Sequence, residues 1–151
     1  MMQPVLEFAF EVRVDIAHEL HVGRGIDEVL QFTPITGGTV AGPLLNGTVI
    51  AGGGDWSVER SGTTQLEARY LIQADDGSSV DVLNRGYYRT SSEVLERVAA
   101  GEHVDEADYY FRTAPIFQTD APAHRWLAEN QFVGLARDDN GQICIRFFVL
   151  R

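Results

Sequence analysis

The chain has 151 residues, 44% of them hydrophobic and 23% charged, with a formal net charge of −10 at neutral pH, which suits one domain with one core. The negative charge is spread along the chain and opposes phosphate backbones and anionic lipid, so neither nucleic acid nor a membrane surface is an expected partner. No apolar run approaches the roughly 18–20 residues of a bilayer span, the opening MMQPVLEFAFEVRVD lacks the basic start of a signal peptide, and Cys144 alone allows no intrachain disulfide; the expectation is a cytoplasmic protein whose single domain covers residues 1–151.

Period-two alternation dominates from the start. Leu6, Phe8, Phe10, Val12 and Val14 fall on one side of an opening strand, with Glu7, Glu11, Arg13 and Asp15 on the other. Further strands are expected at 28–35, 44–51 and 56–60. The alternation returns at Leu66, Ala68, Tyr70 and Ile72 against Gln65, Glu67, Arg69 and Gln73, and strand 79–89 follows. One helix then interrupts, near 91–100. Thr90-Ser91-Ser92-Glu93 has the form of a capping box, Val94, Leu95 and Val98 make an apolar stripe, and Gly101 fits the stop. Strand 109–118, a helical turn at 123–129 and strands 131–138 and 142–150 complete the chain. Ser61-Gly62, Asp75-Asp76-Gly77 and Asp138-Asp139-Asn140-Gly141 supply tight turns. Many antiparallel strands with one short helix point to an all-β, closed antiparallel barrel, because closure removes exposed edges.

The run GGTVAGPLLNGTVIAGGGDW, residues 37–56, raises the question of phosphate binding. A Walker loop needs Lys and Ser/Thr after its last glycine and a helix beyond. Here Gly52-Gly53-Gly54 leads into Asp55-Trp56-Ser57-Val58, an acid and a strand, and no βαβ unit surrounds it. The glycines are better read as corners and close approaches at a barrel rim.

PITGGTVAGP at 34–43, GGGDW at 52–56, LEARY at 66–70, NRGY at 84–87, YYFRTAPIF at 109–117 and WLAENQFVG at 126–134 together resemble the DUF3237 (UPF0311) family over nearly the whole chain. The resemblance implies a small antiparallel β-barrel, calycin-like in outline, and brings no assigned catalytic residues.

The candidate polar residues come from the same blocks. Asp55, set beside Trp56, is the expected general acid or base, with an Asx-type cap on the glycine turn as its alternative role, and Arg85 is its expected catalytic partner. Trp56, Glu67, Arg69, Asn84, Tyr110 and Arg112 are expected to bind ligand. Parity leaves two readings of the charged residues. If the aliphatic faces line the lumen, Glu67, Arg69, Arg85 and Arg112 are solvated outside; if the polar faces point inward, they suit an acidic, oxygen-rich ligand. His18 and His21 could meet on one metal only in a helix, His103 and His124 stand alone, and no metal site is expected. Cys144 has no activating partner in the sequence.

The leading expectation is a small-molecule site in the barrel that performs cofactor-independent acid/base chemistry, of isomerase, cyclase or lyase type, on an oxygenated or carboxylated substrate. Asp55 would move the proton, and Arg69, Arg85 or Arg112 would hold an oxyanion. The alternative is a non-catalytic carrier or sensor barrel. Strand 109–118 has Tyr109, Phe111 and Phe117 on one parity and Tyr110 and Ile116 on the other. One set needs cover, so a homodimer is expected.

Overall fold

The structure, a computed structural model, describes residues 1–151. Its elements are β1 (Leu6–Ile16), β2 (Leu20–Arg24), β3 (Val29–Ala41), β4 (Gly47–Arg60), β5 (Thr63–Ala74), β6 (Ser79–Arg89), α1 (Ser92–Ala99), β7 (Tyr110–Gln118), β8 (Phe132–Asp139) and β9 (Gln142–Leu150). Two 3-10 turns, Glu106–Asp108 and Pro122–Ala128, flank β7. The strands run in the order β1-β9-β8-β7-β6-β5-β4-β3-β2, all antiparallel, and β1 also pairs with β3. That last pairing closes an eight-stranded barrel. Both β1 and β2 lie along β3: Glu11–Ile16 take its C-terminal half and Leu20–Arg24 its N-terminal half. The second stretch stands outside the ring, with its other edge unpaired.

Residues 42–46 of the glycine run turn the corner between β3 and β4, but Gly52-Gly53-Gly54 do not turn one. Residues 47–51 and 56–60 belong to one strand, β4, which bends through a register shift between Ile50 and Gly54. Gly52 has φ +116° there, a left-handed conformation that side chains resist. A Cβ on Gly53 would run into the Arg69 carbonyl, and one on Gly54 into the ring of Phe32. β3 shifts register in the same region, between Pro34 and Gly38. Glycine thus lets two neighbouring strands fold over together at the barrel wall.

The opening strand also departs from simple alternation. A bulge between Phe8 and Phe10 changes its parity. Phe8 stacks outside on Phe148 at 5.6 Å, and Leu6 is exposed, while Phe10, Val12 and Val14 point inward. At α1 the cap is Ser91, whose Oγ accepts from Val94 N at 3.2 Å, so the Thr90–Glu93 box does not form; Gly101 follows the helix with φ +78°.

One end of the barrel is solid. Phe10, Phe117 and Phe147 lie within 5.8 Å of each other, ring to ring, and Phe117 meets Phe132 edge-on at 4.9 Å. Ile72, Val80, Val82, Val149 and Leu127 fill the remaining space with no exposure to speak of. The other end is hollow, with α1 and residues 101–104 across its rim.

Candidate active site

The hollow end is a cavity of about 720 Å³, within the size range of small-molecule sites. Its walls are largely apolar, from Val14, Ile16, Leu66, Phe111, Ile143 and Ile145, with Val94 and Val98 of α1 at the rim. Asp55, Tyr70, Asn84 and Thr113 also line it. Strand register explains this set. Thr33, Asp55, Ala68, Asn84 and Pro115 form one row across β3 to β7, and residues in one row share a face.

Asp55 is half-buried in this row. Its Oδ1 accepts the Glu67 backbone N–H at 3.1 Å, and Oδ2 has no hydrogen bond within the chain. Burial is the main cause that lifts its pKa to about 6. The Glu67 N–H pulls it down and the Glu67 carboxylate adds a smaller upward push. A carboxylate so placed is ionised at neutral pH yet basic enough to take a proton.

Asn84 and Thr113 are the two buried polar side chains of the molecule, 3% and 7% exposed. Asn84 Oδ1, Thr113 Oγ1 and Tyr70 Oη find no hydrogen-bond partner. Burial holds the Tyr70 phenol far above its ordinary pKa, so it remains an O–H donor.

The other candidates stand on the outer face. Arg85 pairs with Glu67 at 3.1 Å and Arg69 with Asp81 at 3.1 Å, both largely in solvent. Trp56 packs on Phe32 at 4.7 Å and is 53% exposed. Tyr110 lies under the guanidiniums of Arg89 and Arg112, at 4.0 and 5.4 Å. The reason is parity: Glu67, Arg69 and Arg85 alternate with lumen residues Ala68, Tyr70 and Asn84 on β5 and β6. No arginine lines the cavity, so neither Arg85 nor Arg69 nor Arg112 holds an oxyanion there. Asp55 and Asn84 alone of the expected residues come together in the lumen.

Sequence reasoning missed Tyr70 and Thr113, which sit among aliphatic residues of one parity, and gave no site role to His103 at the rim. His18 and His21 do not converge: His18 lies in the connection after β1, and His21 Nδ1 meets Gln31 Nε2 at 3.3 Å. His124 Nε2 lies 2.8 Å from Asp76 Oδ2. No group of three or more His, Cys, Asp or Glu side chains is placed to hold a metal. Cys144 is buried between Arg13 and Arg137 in the wall. Burial pushes its thiol up, and the two guanidiniums only partly offset that.

The chain is 34% identical to a UPF0311 protein of Clostridium acetobutylicum, over 94% of this chain and 91% of that one. Its fold matches the crystal structure of a conserved protein of unknown function from Rhodopseudomonas palustris, with a TM-score of 0.89 and 31% identity, over 100% of this chain and 99% of that one. It is also 32% identical to the hydroalkoxylation enzyme phnH of Penicillium herquei, over 82% of this chain and 68% of that protein. The barrel, its glycine bends and its lumen acid thus accompany a match over residues 4–150 to the family described as protein of unknown function, DUF3237, to which this chain belongs.

Proposed function

We propose that the barrel is a cofactor-independent acid/base enzyme in which Asp55 moves a proton within a neutral, oxygenated substrate held in the lumen. The observation that carries this is Asp55 itself: one carboxylate, half-buried, with Oδ2 uncommitted, in a cavity sized for a small molecule. A ring closure is the favoured reaction. Asp55 takes the proton of a substrate hydroxyl as its oxygen bonds to one carbon of a C=C double bond. The π electrons pass to the other carbon, which receives the proton back. Nothing is oxidised and nothing is lost, so no cofactor is required. The name of the Penicillium relative, a hydroalkoxylation enzyme, supports this class.

The substrate should be uncharged. Asp55, Glu102 and Asp138 line the cavity and no arginine does, so a carboxylate would meet net repulsion. The carrier reading draws on the apolar walls, and the two separate on one experiment. With 2′-hydroxychalcone, a neutral hydroxy-enone that closes to flavanone, the protein should accelerate ring closure. Asp55→Asn should cut the rate by about 100-fold or more. Equal rates for both proteins, with retained binding of the probe, would leave a carrier.

A further inference from the structure

We infer that Asn84, together with Tyr70, is the subsite for a carbonyl oxygen, so that the lumen takes an unsaturated ketone and steadies negative charge on its oxygen with neutral donors. This rests on the reading of the lumen as the active site. It gives the oxyanion role that sequence assigned to Arg69, Arg85 or Arg112 to groups of a different kind.

Buried polar groups in folded proteins are almost always paired. Here the two buried polar side chains, Asn84 and Thr113, both lack partners for an oxygen, as does the Tyr70 hydroxyl, and all three line the same cavity. The fold gains nothing from these unpaired oxygens: apolar residues of similar size would cost less to bury. Their arrangement is also specific. Tyr70 is in register with Val82, Asn84 with Pro115, and Thr113 with Gly86. Tyr70 is therefore a diagonal neighbour of Asn84 on β5, where its long side chain can serve one atom with the amide; Thr113 lies diagonal on the opposite side, with its methyl towards Gly86 and its Oγ1 over Gly134 on β8. The Tyr70 hydroxyl can donate, and the amide presents N–H once rotated about its last torsion. A phenol held protonated by burial stays a donor across the working pH range.

Across the row, Ala68 separates Asn84 from Asp55 and puts only a methyl between them. The two Cα atoms are therefore about 9–10 Å apart, two strand spacings. A flat conjugated substrate can lie over Ala68 with its hydroxyl towards the carboxylate and its carbonyl towards the amide. As Asp55 removes the hydroxyl proton and the C–O bond forms, the displaced π electrons reach the carbonyl oxygen, where the Asn84 and Tyr70 donors meet them. Neutral donors suit this position, because a fixed cation beside Asp55 would lower its basicity.

The probe is 2-acetylnaphthalene carrying ¹³C at its carbonyl, with 2-isopropylnaphthalene as its apolar counterpart. The ketone should bind the wild-type protein about fivefold or more tighter than the hydrocarbon. Its carbonyl stretch should fall below the value in a hydrocarbon solvent. Asn84→Leu should remove the preference and return the stretch towards the hydrocarbon value, while binding of 2-isopropylnaphthalene stays within about twofold. Tyr70→Phe, which keeps the ring, should shift the stretch part of the way and guards against misfolding of the leucine variant. Equal binding of the two probes to wild type, or a stretch that ignores both substitutions, would overturn the subsite. Failure of the acid/base reading looks different: Asp55→Asn would then keep its turnover on 2′-hydroxychalcone while the carbonyl shift persisted.

Discussion

Asp55 and Asn84 flank Ala68 in one row of the barrel wall, an acid on β4 and an amide on β6 with a methyl group between. The acid tends towards its neutral form through burial, and the amide oxygen has no partner. Neither condition favours folding. Both follow if the row is shaped for something that the chain itself does not supply. Asn84→Leu should therefore not weaken the protein. Removing a buried amide with an unpaired oxygen should add about 1 kcal/mol, which in a domain of this size raises Tm by about 2–4 °C. Thermal melts check this, and a fall in Tm would mean that the amide supports the fold.

Stability should depend on pH through Asp55. Its acid form is favoured in the folded state, with a pKa near 6 against an ordinary 3.8. Its contribution is thus full below pH 3.8 and is lost as pH climbs through 6. The loss is about 2–3 kcal/mol. Asp55→Asn should flatten this part of the curve in denaturant titrations between pH 4 and 7, and gain on the wild type at the upper end. Ring closure should rise over the same window with an apparent pKa near 6.

Arg85→Ala should do little. The ion pair with Glu67 is on the outer wall with both side chains more than half exposed, and such pairs are worth about 1 kcal/mol or less. Binding of 2-acetylnaphthalene and turnover of 2′-hydroxychalcone should stay within about twofold of wild type. A large loss of binding would bring the outer face back into the site.

Gly53→Ala should destabilise by about 1–3 kcal/mol, the usual cost of overpacking. The new methyl would meet the Arg69 carbonyl and Tyr70 Cβ, which belong to a paired strand and cannot swing aside. A chemical denaturation midpoint unchanged from wild type would show that the β4 bend tolerates a side chain.

The outer face of β5 to β7 exposes Leu71, Tyr87, Tyr110 and Ile116. A second copy related by a two-fold axis is the expected cover, with Arg69–Asp81 and Glu67–Arg85 offering charges of both signs to match. Light scattering at micromolar concentration should give twice the monomer mass, and Ile116→Glu should halve it. A monomeric wild type would leave this face solvated.

Much of the barrel is legible in the sequence because period-two alternation survives in most strands, and the turns around Gly62, Gly77 and Gly141 carry their own signals. The bulge at Ala9 is not legible. Alternation runs unbroken from Leu6 to Val14, and only the packing of Gly42 against Ala9 and Phe10 shows that the strand must shift. Asp55 stands out at the end of its glycines and Asn84 within its block. Parity alone cannot say which face of a strand closes inward, and that choice moves Arg69 and Arg85 out of the site. Tyr70 is hidden for the opposite reason: among Leu66, Ala68 and Ile72 its ring reads as core, and nothing local reveals that its hydroxyl lacks a partner.

The ring of strands is sealed near the aromatic plug but has a seam at the rim. There β1 leaves β3 after Ile16, and the five residues of β2 take over the edge without reaching β9. Amide protons of β2 rest on a single short ladder to β3, whereas those near Phe10 and Phe147 can exchange only if the whole cylinder opens. The barrel therefore has one wall segment that can part and rejoin without disturbing its core. Hydrogen exchange should run from Leu20–Arg24 inward.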